Sequence, residues 1–422
     1  MSFSPLQRRL VCFFGAALLL QIALALLPVP LYARSERFHA TVLAVFFLDF
    51  LMFRRQHVRW GYPMVAAIGL TAGLGFFFWN LLDWQARAIN GRFQGSEVLW
   101  RMSLVASLVI LYSWWTRALM WLLERKASSE FKNSPRGLAL RALRIGVSLL
   151  LFAPYFFTAM NSHRFKIAGA NTPRSDFKLE YEDVAFKAND GIPLRGWLIP
   201  APNSQRAVVV CHGLGANRGL FLGVAPFLQR AGYTVLMFDF RGHGDSGGHT
   251  ISFGADEARD VAGAVSFLKA RGFSRVALYG FSMGGAAVLN SAAKLPVDAV
   301  VVDSTFTDFA PLVAQNLPSV PQALKQTAVT IIDIYGQLEV GASLHQISTR
   351  THIASISPRP LLVVHGTGDQ LIPFSQAQTI HRLAQHPKQL WLVKGADHCL
   401  CRLVDVKRYE ARVSVFLKRA IR

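Results

Sequence analysis

Cysteine is scarce, with four residues in 422. Cys12, Cys211, Cys399 and Cys401 form no pair of pairs at metal-ligand spacing, which leaves no basis for a disulfide-stapled scaffold or a structural zinc site. Cys399 and Cys401 are too close in sequence to bridge each other well. All four are read as free thiols, with a Cys211–Cys399 bridge as the one alternative. Acidic side chains are also few: 25 Asp and Glu stand against 45 Lys and Arg, a formal charge of +20. Such an excess raises nucleic-acid binding, yet no basic–aromatic recognition pattern or nucleic-acid module accompanies it. No internal repeat or low-complexity segment stands out, so a repeat architecture is not indicated.

Apolar residues are abundant, at 52% of the chain. A soluble enzyme would rarely combine that content with so high a charge, and the distribution explains the combination. Five apolar runs precede residue 162, at 10–32, 38–53, 63–82, 102–123 and 145–160. Several are long enough to span a bilayer, and Trp60, Trp79, Trp84, Trp100, Trp114 and Trp121 edge them. The run at 38–53 is the weakest, being short and holding Asp49. The first run follows Arg8 and Arg9 and reads as an uncleaved signal anchor. Five spans with the N-terminus inside put Arg54, Arg55, Arg59, Arg125, Lys126, Lys132, Arg136, Arg141 and Arg144 in the cytoplasm. Only Arg34, Arg37, Arg87 and Arg92 fall on the other side. This asymmetry follows the positive-inside rule and sends the rest of the chain to the non-cytoplasmic side. Losing the run at 38–53 would reverse that.

Residues 163–178 read as a polar linker. After it, short apolar runs alternate with helical stretches through residues 179–422. Asn189-Asp190-Gly191 separates two strands of a hairpin. Later strands, such as Ala207-Val-Val-Val-Cys211, are apolar throughout, as strands covered on both faces are. The pattern predicts a mainly parallel, doubly wound α/β sheet. Residues 304–358 carry Pro311, Pro318 and Pro321 among helical patterns and no good strand, which predicts a small helical cap. The basic segment 404–422 reads as a final amphipathic helix through Val406, Tyr409, Val413, Phe416 and Leu417.

Gly280-Phe-Ser282-Met-Gly284 lies between a strand and a helix. A G-x-S-x-G turn in that setting holds the serine at a strained position with its hydroxyl exposed. A serine needs a base, and the base needs an orienting acid. Asp369 follows one C-terminal strand and His398 follows the next, which completes the chain order Ser, acid, His. Asp303 is a rival acid because it ends the strand after the nucleophile helix. Met283 N–H and Leu214 N–H, the latter in His212-Gly213-Leu214-Gly215, are the expected oxyanion donors. His212 reads as a structural residue of that loop, and Asp397 as a group that orders the loop of His398.

These motifs, with Asp239-Phe-Arg241-Gly-His-Gly-Asp-Ser246, occur in the same sequence in the α/β-hydrolase superfamily, which residues 180–420 resemble. They look most like its membrane-anchored, Bem46-like branch. The resemblance implies an α/β-hydrolase fold, a serine acyl-enzyme mechanism and no metal or organic cofactor. It also implies that Arg241–Ser246 shapes the entrance. The multi-span N-terminal region lies outside the resemblance. The combined expectation is a membrane-anchored hydrolase acting on a carboxylic ester, with a small-molecule acyl or lipid-like substrate and no nucleic acid. A thioesterase, an aminopeptidase and a non-catalytic binding module are the alternatives.

Overall fold

The computed structural model describes residues 91–92, 134–163, 166–317 and 320–421. The first four apolar runs therefore lie outside the described residues. The fifth falls within α1 (Pro135–Ser162), a helix that contains Pro154. Ser134 caps it, accepting from Gly137 N–H at 3.2 Å. Among the described residues, no helix is long and apolar enough to cross a membrane. The chain divides into two compact units, and the second, Asn90–Phe93 with Met160–Arg422, contains every residue assigned to chemistry.

That unit is built on eight strands: β1 (Glu182–Lys187), β2 (Pro193–Ile199), β3 (Arg206–Cys211), β4 (Thr234–Phe238), β5 (Arg275–Phe281), β6 (Ala299–Asp303), β7 (Leu361–Gly366) and β8 (Lys388–Val393). Their spatial order is β8-β7-β6-β5-β3-β4-β2-β1. The pairs from β8 through β4 are all parallel, whereas β1 and β2 join antiparallel at one edge. The sheet is thus mixed and mainly parallel. Its antiparallel edge is the expected hairpin, turned at Gly191 with φ +90° and closed by Ala188 N–H donating to Ile192 O at 2.8 Å.

The remaining helices are α2 (Pro173–Phe177), α3 (Ala225–Arg230), α4 (Glu257–Ala270), α5 (Met283–Ser291), α6 (Phe309–Gln315), α7 (Gln322–Glu339), α8 (Arg350–Ile353), α9 (Ser375–Leu383), α10 (Cys401–Val404) and α11 (Val406–Ala420). Side chains alternate across a strand, so Ala207, Val209 and Cys211 join the core under α4, α5 and α9. Val208 and Val210 join the opposite core under α3 and α11. Both faces are covered, which is why β3 shows no polar alternation. α11 turns Tyr409, Val413, Phe416 and Leu417 inward and its basic face outward, but Val406 is exposed and takes no part in that seam. Helices α6, α7 and α8 fill the stretch between β6 and β7.

The linker holds more structure than its polarity suggests. Ala168–Gly169 pairs antiparallel with Gly91–Arg92, and α2 starts from a reciprocal cap. Thr172 Oγ1 accepts from Ser175 N–H at 3.1 Å, and Ser175 Oγ accepts from Thr172 N–H at 2.9 Å. A five-residue helix is too short to show an apolar period, so only the capping residues could have announced it.

Candidate active site

Ser282 stands between β5 and α5 with φ 52° and ψ −120°. This left-handed backbone turns its hydroxyl out of the sheet edge. Close packing enforces the turn. A Cβ on Gly284 would lie 2.4 Å from the carbonyl oxygens of Cys211 and His212, and one on Gly280 would lie 2.5 Å from Gly284 O. Ser282 N–H donates to Asp303 O at 2.9 Å, and Thr305 Oγ1 donates to Ser282 O at 2.8 Å. The serine is pinned to the end of β6 and to the residues after it.

The three residues singled out across 116 positions meet at the C-terminal edge of the sheet. Ser282 Oγ lies 3.0 Å from His398 Nε2, and His398 Nδ1 lies 2.8 Å from Asp369 Oδ2. Asp369 Oδ1 accepts from Leu371 N–H at 3.0 Å and Ile372 N–H at 2.8 Å. With both backbone donors on Oδ1, Oδ2 is left for histidine. His398 therefore donates from Nδ1, and its Nε2 is the acceptor that faces the serine. Burial alone would raise the Asp369 pKa, but the histidine and backbone donors outweigh it and hold the carboxyl well below its ordinary range. It is ionised at neutral pH.

A third histidine was not assigned a role from sequence. His365 Nε2 lies 2.9 Å from Ile372 O and 3.2 Å from Asp369 Oδ2, with its side chain fully buried. It clamps the acid and the turn after it. The His-x-x-x-Asp spacing was visible, but its direction relative to the sheet was not.

Asp303, the rival acid, does not reach His398. Its Oδ2 accepts from Tyr409 OH at 2.5 Å and its Oδ1 from Ser304 Oγ at 2.9 Å. Tyr279 and Tyr409 share a hydrogen bond through their hydroxyls. Burial raises the Asp303 pKa while these donors lower it, with burial dominant. Ser304 has φ 54° and accepts from Cys399 N–H at 3.1 Å. The Asp303 cluster thus supports the loop of His398 from below. Asp397 supports it from the side, its Oδ1 accepting from His398 N–H at 2.7 Å.

The loop after β3 passes over the nucleophile: a Cβ on Gly213 would be 3.2 Å from Ser282 Cβ. Leu214 N–H and Met283 N–H have no acceptor among the described residues. Free N–H groups beside a nucleophile are the requirement for oxyanion donors. His212 holds this loop as expected. Its Nδ1 lies 2.8 Å from Gly213 O, and its Nε2 accepts from Phe240 N–H at 3.0 Å. Burial lowers its pKa, consistent with a neutral ring. His243 repeats the device, with Nε2 accepting from Gly215 N–H at 3.1 Å.

Arg241 is held within the scaffold. Its buried guanidinium donates to Asp260 at 2.9 and 2.6 Å and to Asp190 at 2.9 and 3.0 Å. Breaking a buried ion group by removing one partner costs about 3–5 kcal/mol. Arg241 therefore acts as scaffold, while His243 and Asp245 of its segment bond Gly215 and Arg218 in the loop after β3.

Cys211, Cys399 and Cys401 are free, so the Cys211–Cys399 bridge is not formed; Cys12 lies outside the described residues. Among the described residues, no group of His, Cys, Asp or Glu is placed to hold a metal ion.

A family model described as the alpha/beta hydrolase fold matches residues 206–332. The chain is 30% identical over 226 residues to the uncharacterized protein YfhR of Escherichia coli O157:H7, covering 51% of this chain and 73% of YfhR. It is 27% identical over 288 residues to the polyketide transferase grgF of a Penicillium species, covering 57% of this chain and 97% of that one. The structure resembles the esterase Pf2001 of Pyrococcus furiosus with a TM-score of 0.53 and 27% identity, covering 62% of this chain and 98% of the esterase.

Proposed function

The chain belongs to the α/β-hydrolase family and is a hydrolytic enzyme, and on that premise we propose that it is a membrane-anchored carboxylic-ester hydrolase with Ser282 as nucleophile. The observation that carries the reading is the unbroken chain Ser282 Oγ, His398 Nε2, His398 Nδ1, Asp369 Oδ2, with contacts of 3.0 and 2.8 Å. Ser282 Oγ attacks the ester carbonyl carbon as its proton passes to His398 Nε2. The carbonyl oxygen gains the negative charge and accepts from Leu214 and Met283 N–H. Collapse expels the alcohol, which takes the proton from His398, and leaves an acyl-serine. Water, deprotonated by His398, then releases the acid and restores the serine. Asp369 stays ionised and keeps the imidazole oriented throughout.

The likeness to the Pyrococcus furiosus esterase favours esters over the thioester and amide substrates that the same groups could attack. The likeness to a polyketide transferase favours a second reading, in which an alcohol or thiol replaces water in the second step. A panel of p-nitrophenyl esters from acetyl to palmitoyl, given to the full chain in detergent, tests the first reading. Turnover producing free acid is expected. Failure on every ester, with no fluorophosphonate labelling, would reject it.

Anchoring rests on the apolar runs of the N-terminal region, and external placement of the hydrolase domain rests on their basic flanks. The pairing of Gly91–Arg92 with Ala168–Gly169 supports a shared side for Gly91–Arg92 and the domain, which requires an even number of crossings between them. A phosphatase reporter fused after Arg422 is expected to be active outside the cytoplasm. Activity of a fusion only inside would reverse the topology.

A further inference from the structure

The exposed apolar side chains of the hydrolase unit are unevenly placed. Leu220 follows β3, Leu371 and Phe374 follow β7, and Leu400, Leu403 and Val404 follow β8; all are exposed. These loops leave the C-terminal edge of the sheet, the edge that holds Ser282, Asp369 and His398. On the opposite edge, the segments 200–205, 271–274, 295–298, 357–360 and 384–387 carry no exposed large apolar side chain. Single exposed leucines need no explanation, but a gathering on one edge does. Two of these loops touch. A Cβ on Gly223 would be 2.9 Å from Arg402 Nη1, which brings α10, carrying Leu403, against the loop of Leu220.

The chain arriving from the apolar N-terminal region is fastened to that same edge. Ser162 O accepts from Ile251 N–H at 2.8 Å. Lys166 Nζ donates to Ser246 O at 2.9 Å, and Asn217 Nδ2 donates to Ile167 O at 3.0 Å. Asn217, Ser246 and Ile251 lie in the connections that leave β3 and β4 at their C-terminal ends. The last apolar run ends at Met160, two residues before the first of these contacts.

We propose that this apolar rim seats on the bilayer surface and that the enzyme takes a membrane-resident acyl ester directly from it. The inference rests on the membrane-anchored esterase reading above and adds the substrate's physical state. Arg218 and Arg402 beside the rim are paired with Asp239, Asp245 and Glu410. Neither guanidinium is free for a lipid phosphate, so the apolar side chains should hold the contact on zwitterionic lipid.

The test uses the full chain reconstituted in phosphatidylcholine vesicles containing a long-chain fluorogenic acyl ester, with p-nitrophenyl acetate as the water-soluble substrate. Leu220 and Leu403 are 66% and 64% exposed, so the Leu220→Asp/Leu403→Asp variant should fold. Its rate on the bilayer ester is expected to fall about tenfold or more, because two apolar side chains no longer leave water. Its rate on the acetate should stay within about twofold, the usual range for surface changes. Equal loss on both esters, or loss on neither, overturns the proposal. So does an unchanged ratio with lowered thermal stability, which would put the chain's own N-terminal region on the rim. An unchanged ratio with altered oligomeric state would put a second copy there, with the same consequence. A wild-type chain that hydrolyses neither ester instead removes the esterase reading itself.

Discussion

Ser282→Ala is expected to abolish fluorophosphonate labelling and to lower kcat/KM toward a p-nitrophenyl ester by about 10⁴–10⁶-fold, the scale of nucleophile loss in serine hydrolases. That is about 5–8 kcal/mol of transition-state stabilisation. The substitution is conservative in every other respect. The serine hydroxyl makes no capping bond to α5, and its hydrogen-bond partner is His398. Alanine bears the same strain at φ 52°, and the peptide remains held by Asp303 O and Thr305. Thermal unfolding should shift little, so lost activity can be assigned to chemistry. Labelling that persists in the variant would place the nucleophile elsewhere and end the Ser282 mechanism.

Asp369→Asn carries the second-largest expected effect, a fall in kcat of about 10³–10⁴-fold with KM little changed. The hydrogen-bond inventory gives the reason. Oδ1 serves two backbone donors, Leu371 and Ile372 N–H, so asparagine keeps its oxygen there and turns its amide NH₂ toward the histidines. His398 Nδ1 then meets a donor and must become an acceptor, which moves the ring proton to Nε2. An Nε2–H cannot take the proton of Ser282. His365 Nε2, 3.2 Å from the same carboxylate oxygen, would face the NH₂ as well and compound the misfit. Asp303→Asn is the control. Its carboxylate bonds Tyr409 and Ser304, so that change should lower stability and leave kcat within about tenfold. Equal falls in kcat for both variants would return the choice of acid to Asp303.

That choice marks how far the candidate site could be read in advance. Asp303 ends one apolar strand and Asp369 follows another, so the chain order favours Asp369 without saying what Asp303 does. The sheet order separates them: β6 lies beside β5, which turns Asp303 under the nucleophile and toward Tyr409. β7 lies one strand further out, where the loop of His398 can reach Asp369. His365 and Ser304 escaped notice for a related reason. Their work is done by side-chain direction and by a left-handed backbone at Ser304, neither of which has a local signature in a serine or histidine. Within Arg241–Ser246, the segment that the resemblance assigns to the entrance, Arg241 buries its guanidinium on two carboxylates while His243 bonds the site loop.

The sequence alone determined the alternation of strands and helices, the hairpin edge and the serine turn. Each of these depends on local rules: the apolar period of a segment, glycine where backbones touch, and a turn where Asn-Asp-Gly interrupts two strands. It also determined the chain order of Ser282, Asp369 and His398, because each follows a strand at the same end of the sheet. Tertiary structure alone decided what Asp303 does in place of orienting the imidazole, that His365 clamps the acid, and that exposed leucines lie on loops of the catalytic edge. Those facts depend on which strand lies beside which and on where side chains distant in sequence converge, and no local pattern encodes either.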